Sequence, residues 1–234
     1  MKWVAPLFVL MCSSVQAQTL RPEARVEVVP VITAVETSLL PQARPKAVED
    51  AAARIAAQRR AGSVCGVTAI QGRRVANIPG RIAGCGVSNP VKVTSVSGVR
   101  LSTAATMDCT TAKTLNRWVA QGLKPTVGSF RGGVREMHVV AHYACRTRNN
   151  QPGAKISEHG RGRAIDIAGF RMHDGSRITL LNDWGRGRAG RILKQLHARA
   201  CGPFGTVLGP NANRFHKDHF HFDTARYRSG SYCR

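Results

Sequence analysis

Acidic residues are scarce in this chain: 13 Asp and Glu stand against 35 Lys and Arg in 234 residues. The formal charge of +22 is compatible with an anionic partner (nucleic acid, lipid or cell wall) and equally with a solvated, arginine-rich surface. Long apolar runs are missing as well. The N-terminal one, Trp3 to Met11, is too short to span a bilayer, so no transmembrane anchor is expected. No two cysteines have C-x-x-C spacing, which argues against a thiolate zinc site. There is no internal repeat, and strands and helices do not alternate as βαβ units, which excludes solenoids and doubly wound sheets. The stretch from Gln18 to Arg60 contains neither Cys nor Gly.

These gaps divide the chain. Residues 1–17 read as a secretory signal peptide: Lys2, the apolar run, then the small-residue exit Val15-Gln16-Ala17. Met11 directly before Cys12 argues against lipoprotein processing. Residues 18–61 read as a linker, with Pro22, Pro30, Pro41 and Pro45 in front and an Ala-rich, transiently helical Lys46–Arg60 behind. Residues 62–234 form the expected folded domain. Beyond the leader lie six cysteines, Cys65, Cys85, Cys109, Cys145, Cys201 and Cys233. An even number in an exported chain implies disulfides. Pairing neighbours suggests Cys65–Cys85, Cys109–Cys145 and Cys201–Cys233, although spacing alone leaves other pairings open.

Within the domain, Val91–Val99 reads as a strand or hairpin arm and Met137–Ala144 as a strand. Ser102–Gln121 reads as a helix ended by Gly122, and Gly190–Ala200 as a second helix. The expected class is α+β, with a small, mainly antiparallel sheet flanked by helices and stapled by disulfides.

Two stretches carry the chemistry: Ser157-Glu158-His159-Gly160-Arg161-Gly162-Arg163-Ala164-Ile165-Asp166 and His216-Lys217-Asp218-His219-Phe220-His221. Arg163–Gly169 alternates, with Ile165 and Ile167 on one face and Ala164, Asp166 and Ala168 on the other. His219–Asp223 alternates too. Phe220 and Phe222 share a face, and His219, His221 and Asp223 share the opposite one. Two strands can therefore bury apolar side chains and point His159, Asp166 and His221 at one metal ion. Two imidazoles and a carboxylate suit zinc and leave a position open for water; calcium fits poorly, because imidazole is a poor ligand for a hard cation. His219 projects from the same face and is a competent base towards a metal-bound water. Asp218 competes for that role. His138, His142, His173 and His197 fit no motif. Trp118 and Trp184 read as core residues, although Trp184 could line a cleft. The tract Arg186-Gly187-Arg188 lacks aromatic interleaving, so no nucleic-acid partner is expected.

Ser-x-His-x-x-Gly-x-Ala-x-Asp followed by His-x-His resembles the zinc peptidases that cut D-amino-acid bonds in peptidoglycan. These are the D-Ala-D-Ala carboxypeptidases, the penicillin-insensitive murein endopeptidases and their relatives, including the hedgehog signalling domain. From about Cys65 onward the chain is similar to the bacterial extensin-like C-terminal domain, through Tyr143-x-Cys145-Arg146, Ser157-Glu158-His159, Ala164-Ile165-Asp166-Ile167, Val207-Leu208-Gly209-Pro210 and Phe215-His216-x-Asp218-His219-Phe220-His221. The resemblance implies a hedgehog/D-Ala-D-Ala-peptidase-like zinc fold and a zinc metallopeptidase hydrolysing peptidoglycan peptides; the leader directs the expected location to the periplasm, and a monomer is expected. It implies His219 as general base, His216 supporting the transition state or the leaving amine, and Arg146 (or Arg148) pairing with a substrate carboxylate. Ser157 would orient its loop or touch substrate. The alternative is a zinc-containing module that binds wall peptides or a partner without cutting; a cationic nucleic-acid hydrolase ranks below both.

Overall fold

The computed structural model describes residues 45–234. The expected signal peptide and residues 18–44 of the expected linker lie outside the described residues. The described chain opens with helix α1 (Lys46–Ala61), which buries none of its side chains and whose alanines supply helix propensity. Strand β1 (Ser63–Val64) and β2 (Val67–Arg74) follow, then the small hairpin β3 (Ile78–Pro79) and β4 (Gly86–Val87).

The expected strand over 91–99 is a hairpin. It runs through β5 (Val91–Val96) and β6 (Val99–Met107), and both turn residues, Ser97 and Gly98, have positive φ, as a tight turn matched to strand twist requires. The helix expected from Ser102 starts later. Ser102–Met107 continues β6, because Val99, Leu101, Ala105 and Met107 are all buried at even spacing, the period of a strand. Helix α2 (Cys109–Trp118) begins at Asp108, whose carboxylate accepts the Thr111 N–H at 2.7 Å, an N-cap that satisfies an orphan helical donor. Gly122 does not end the helix: a π turn, Val119–Leu123, carries it into α3 (Lys124–Val127), which stops at Gly128 with φ 54°.

The rest comprises β7 (Val134–Ala141), β8 (Ala164–Met172), β9 (Arg177–Thr179), α4 (Leu180–Asp183), α5 (Gly187–Ala200), β10 (Thr206–Leu208), β11 (Phe220–Asp223) and β12 (Tyr232–Cys233). The class is α+β. The sheet is larger than expected: ten strands, in order β1-β2-β5-β6-β7-β8-β11-β10-β12, with β9 also on β8. Most neighbours are antiparallel, but β6–β7 and β10–β12 are parallel, so the sheet is mixed.

The core lies where this sheet meets α2 and α5. Trp118, fully buried, sets its indole edge-on to Phe222 at 5.1 Å and donates its N–H to the Leu196 carbonyl at 3.2 Å. Phe204 stacks on Phe222 at 4.9 Å, and Ile165, Ile167, Phe220 and Phe222 have no exposed surface. Trp184 belongs here as well: its ring lies 5.8 Å from Phe220 and 6.0 Å from His197, so it packs on the side of β11 away from the polar residues and does not line the cleft.

Three disulfides staple the fold, and two differ from neighbour pairing. Cys65 joins Cys109, Cys85 joins Cys145, and Cys201 joins Cys233. The tight turn between β1 and β2 sets Cys65 at the start of α2, while Cys85, beside β4, meets the segment leaving β7. Strand order decided the partners, and sequence spacing does not encode it. The bridges close separations of 44, 60 and 32 residues, each removing about 4 kcal/mol of unfolded-chain entropy in the loop-closure model.

Candidate metal centre

Three neighbouring strands build the centre. In the β8–β11 ladder Asp166 faces His221 directly across the strands, and on the other side Ala141 of β7 faces Asp166. Directly opposed side chains on one face of a sheet touch, so register alone brings Asp166 to His221. Their core-side neighbours, Ile165, Ile167, Phe220 and Phe222, anchor both strands. His159 arrives from a short 3₁₀ turn, Glu158–Arg161, capped by Ser157 and ended by left-handed Gly162 at φ 66°. Gly160 has to be glycine, because a Cβ there would come within 2.9 Å of Cys85 Sγ. The Cys85–Cys145 bridge thus presses against the loop that carries His159.

The ring nitrogens sort themselves by their partners. His159 Nδ1 lies 2.7 Å from the His142 carbonyl. A carbonyl only accepts, so Nδ1 carries the hydrogen and Nε2 presents its lone pair. That Nε2 is 3.1 Å from Asp166 Oδ2 and 3.2 Å from His221 Nδ1. His221 Nε2 donates to Asp223 Oδ2 at 3.1 Å, and its Nδ1 sits 2.9 Å from Asp166 Oδ1. Outer partners that hold an imidazole by its far nitrogen, and so orient the near one, are a recurring feature of metal sites. His159 and Asp166 are buried, and the His221 side chain is 12% exposed. The group can therefore hold a metal ion: the three ligand atoms all lie within 4.8 Å of one another.

The electrostatics match. Burial opposes ionisation of Asp166, but the close imidazoles of His159 and His221 hold its carboxyl well below the usual range. Burial likewise works against a proton on His221, yet the hydrogen bonds to Asp166 and Asp223 push its pKa up to about 9. Burial, followed by the nearby His221 and His219, lowers His216 to about 4, so His216 is neutral near pH 7.

The remaining sequence candidates line one cleft of about 410 Å³ with the group. His219 Nε2 lies 3.6 Å from Asp166 Oδ2, and its Nδ1 donates to Asp218 Oδ1 at 2.8 Å. Asp218 itself is 64% exposed and holds His219 from outside. His216 is buried, with Nδ1 donating to Asn213 Oδ1 at 2.8 Å. That oxygen also accepts the Phe215 N–H. Arg146 and Ser157 lie on adjoining strands of a small loop, where the Ser157 N–H donates to the Arg146 carbonyl at 3.0 Å, and both reach the cleft, as does Arg148. Among the described residues the Arg146 guanidinium makes a single long contact, 3.4 Å to the Thr147 carbonyl.

Sequence reasoning assigned no role to Asp223, although alternation had put it on the right face, nor to Asn213. It had no means of seeing the His142 carbonyl, because any residue supplies a carbonyl. Among the described residues no helix is long and apolar enough to cross a membrane, and the three disulfides fit an oxidising compartment.

With this geometry in view, the chain belongs to the family described as the extensin-like protein C-terminus, whose model matches residues 49–234. No curated protein and no solved structure matches it.

Proposed function

We propose that this protein is a periplasmic zinc metallopeptidase that hydrolyses peptide bonds in peptidoglycan. The observation that carries the reading is the sorted donor set: His159 Nε2, His221 Nδ1 and an Asp166 carboxylate, each freed or fixed by a named partner, at the floor of a cleft lined by two more imidazoles. The separations of 2.9–3.2 Å between these atoms fit ligands around one tetrahedral ion, whose bonds of about 2.0–2.1 Å place neighbouring donors roughly 3.3 Å apart. Three protein ligands leave one position for water or substrate, as in hydrolytic zinc sites. When bound, zinc supplies Lewis acidity, polarising a carbonyl and drawing the pKa of a water towards about 7.

The chain's own groups do the rest. Asp218 keeps the hydrogen of His219 on Nδ1, so Nε2 is free to take a proton from the attacking water and to pass it to the departing nitrogen as the amide bond breaks. His216 is neutral and donates Nδ1–H to Asn213, leaving Nε2 as an acceptor for the N–H of the scissile amide. In this tautomer it serves the leaving amine; support of a negative charge would require a second proton, which burial disfavours. The Arg146 guanidinium, with few internal partners, is available to bind a substrate carboxylate through two parallel hydrogen bonds. Ser157 fixes the His159 turn by accepting the His159 N–H at 3.4 Å.

Mass spectrometry of purified muropeptides treated with zinc-loaded protein tests the reading. New fragments should appear with wild type and none with His159→Ala. Digestion by the variant at the wild-type rate would refute the assignment.

A further inference from the structure

The cleft that Arg146 reaches also has an aromatic lining. Aromatic residues are only 6% of the chain, yet the exposed ones among the described residues, Phe215, Tyr227 and Tyr232, all line this cleft. They expose 39%, 43% and 52% of their surface. Exposed aromatic faces gathered at one concave site mark recognition rather than packing.

The two tyrosines are held in place. Tyr232 lies on β12, pinned by the adjacent Cys233–Cys201 bridge and paired with Thr206 of β10. Its ring has the Arg234 guanidinium 5.8 Å from its centroid. The Tyr227 hydroxyl hydrogen-bonds Thr206 Oγ1 at 3.1 Å, which fixes the phenol by its tip and leaves the ring for contact. A platform fixed in advance loses little side-chain entropy on binding.

The rest of the lining narrows the ligand. Among the described residues Leu208 is the cleft's sole aliphatic one, so the wall is a poor receptacle for an acyl chain or a branched apolar side chain. Asn149 and Asn150 line the same cleft, and their amides can both donate to and accept from hydroxyl and acetamido groups. Flat rings and amides in one cleft suit a pyranose, which presents apolar C–H bonds on its faces and hydroxyls around its edge. We infer that the Tyr227–Tyr232 wall is a sugar subsite, and that the cleft takes peptides still attached to an N-acetylated amino sugar of the glycan. This rests on the proposed peptidoglycan reading, but it is tested by binding rather than cleavage.

Calorimetry would compare a disaccharide-linked stem peptide with the same peptide after removal of the sugar, using zinc-loaded protein. The linked ligand should bind about tenfold tighter, the scale of one good aromatic contact. Tyr232→Ala should erase most of that difference while leaving the affinity for the free peptide unchanged, and Tyr232→Phe should retain it. Tyr227→Ala, which is not adjacent to a disulfide, provides the same test if Tyr232→Ala folds poorly. Equal affinities for the two ligands in wild type would overturn the inference. So would an equal loss for both ligands in Tyr227→Ala. If neither ligand is cleaved but the sugar-dependent difference persists, the peptidase reading fails and the sugar subsite stands.

Discussion

The floor and the rim of the cleft are built differently. At the floor, Asp166 and His221 meet through strand register, Asp223 orients the His221 ring and the His142 carbonyl orients that of His159, and apolar side chains one residue away lock both strands into the core. At the rim, His219, Arg146 and the tyrosines stand on turns and short edge strands, held by a surface carboxylate, a hydroxyl or a nearby disulfide. The floor has the rigidity that metal binding needs, because a ligand displaced by an ångström no longer binds. The rim has the spare hydrogen-bonding capacity that substrate recognition needs. Changes at the floor should therefore alter folding and metal affinity together, and changes at the rim should alter turnover or selectivity alone.

The largest effect is expected from Asp166→Ala. It leaves His221 and His159 buried without their shared carboxylate, and stranding one partner of such a group costs about 3–5 kcal/mol. Thermal melting of metal-free protein should show that loss, and calorimetry should show no zinc binding. A variant as stable as wild type would show that the floor is not a coupled network. Next, Asp223→Ala should weaken zinc binding by about 10–100-fold, the usual effect of removing an orienting partner, with a smaller loss of stability than Asp166→Ala. An unchanged affinity would mean that His221 is oriented by strand packing alone.

The register of the floor was legible in the sequence because period-two alternation is local: Ile165 and Ile167 against Asp166, and Phe220 and Phe222 against His221. What orients the ligands was less so. The His142 carbonyl leaves no residue signature, and the Asp223 contact depends on a rotamer. The disulfide partners and the late start of α2 escaped for a related reason. Cys65 meets Cys109 only once β1, β2, β5 and β6 are in order, and Ser102–Met107 extends as a strand because it pairs with β5, whatever its local propensity. The Tyr227–Tyr232 wall lies in a stretch with no periodic pattern.

A third effect concerns pH. In metal-free protein the raised pKa of His221, about 9, contributes stability that is fully present below its ordinary value of 6.5 and lost as pH rises through about 9. The lowered pKa of Asp166 contributes stability that is present above the ordinary carboxyl range and lost as pH falls through its folded value. Melting temperature should therefore decline on the alkaline side between about pH 6.5 and 9. Zinc must displace the His221 proton, so its affinity should rise with pH across the same window and level off above it. A pH-independent affinity between 6.5 and 9 would contradict the ion-pair network. The smallest effect belongs to the rim: Asp218→Asn should reduce turnover several-fold without changing zinc content, because it weakens only the hold on His219 Nδ1. Loss of zinc in that variant would place Asp218 in the floor instead.

Zinc titration of natively folded, metal-stripped protein, followed by native mass spectrometry and calorimetry, tests the central claim most directly. The geometry predicts one ion per chain, with about one proton released near pH 7, and no high-affinity site in the His159→Ala/His221→Ala double variant. A folded wild type that takes up no zinc, or a double variant that still binds one ion with the same affinity, would contradict it.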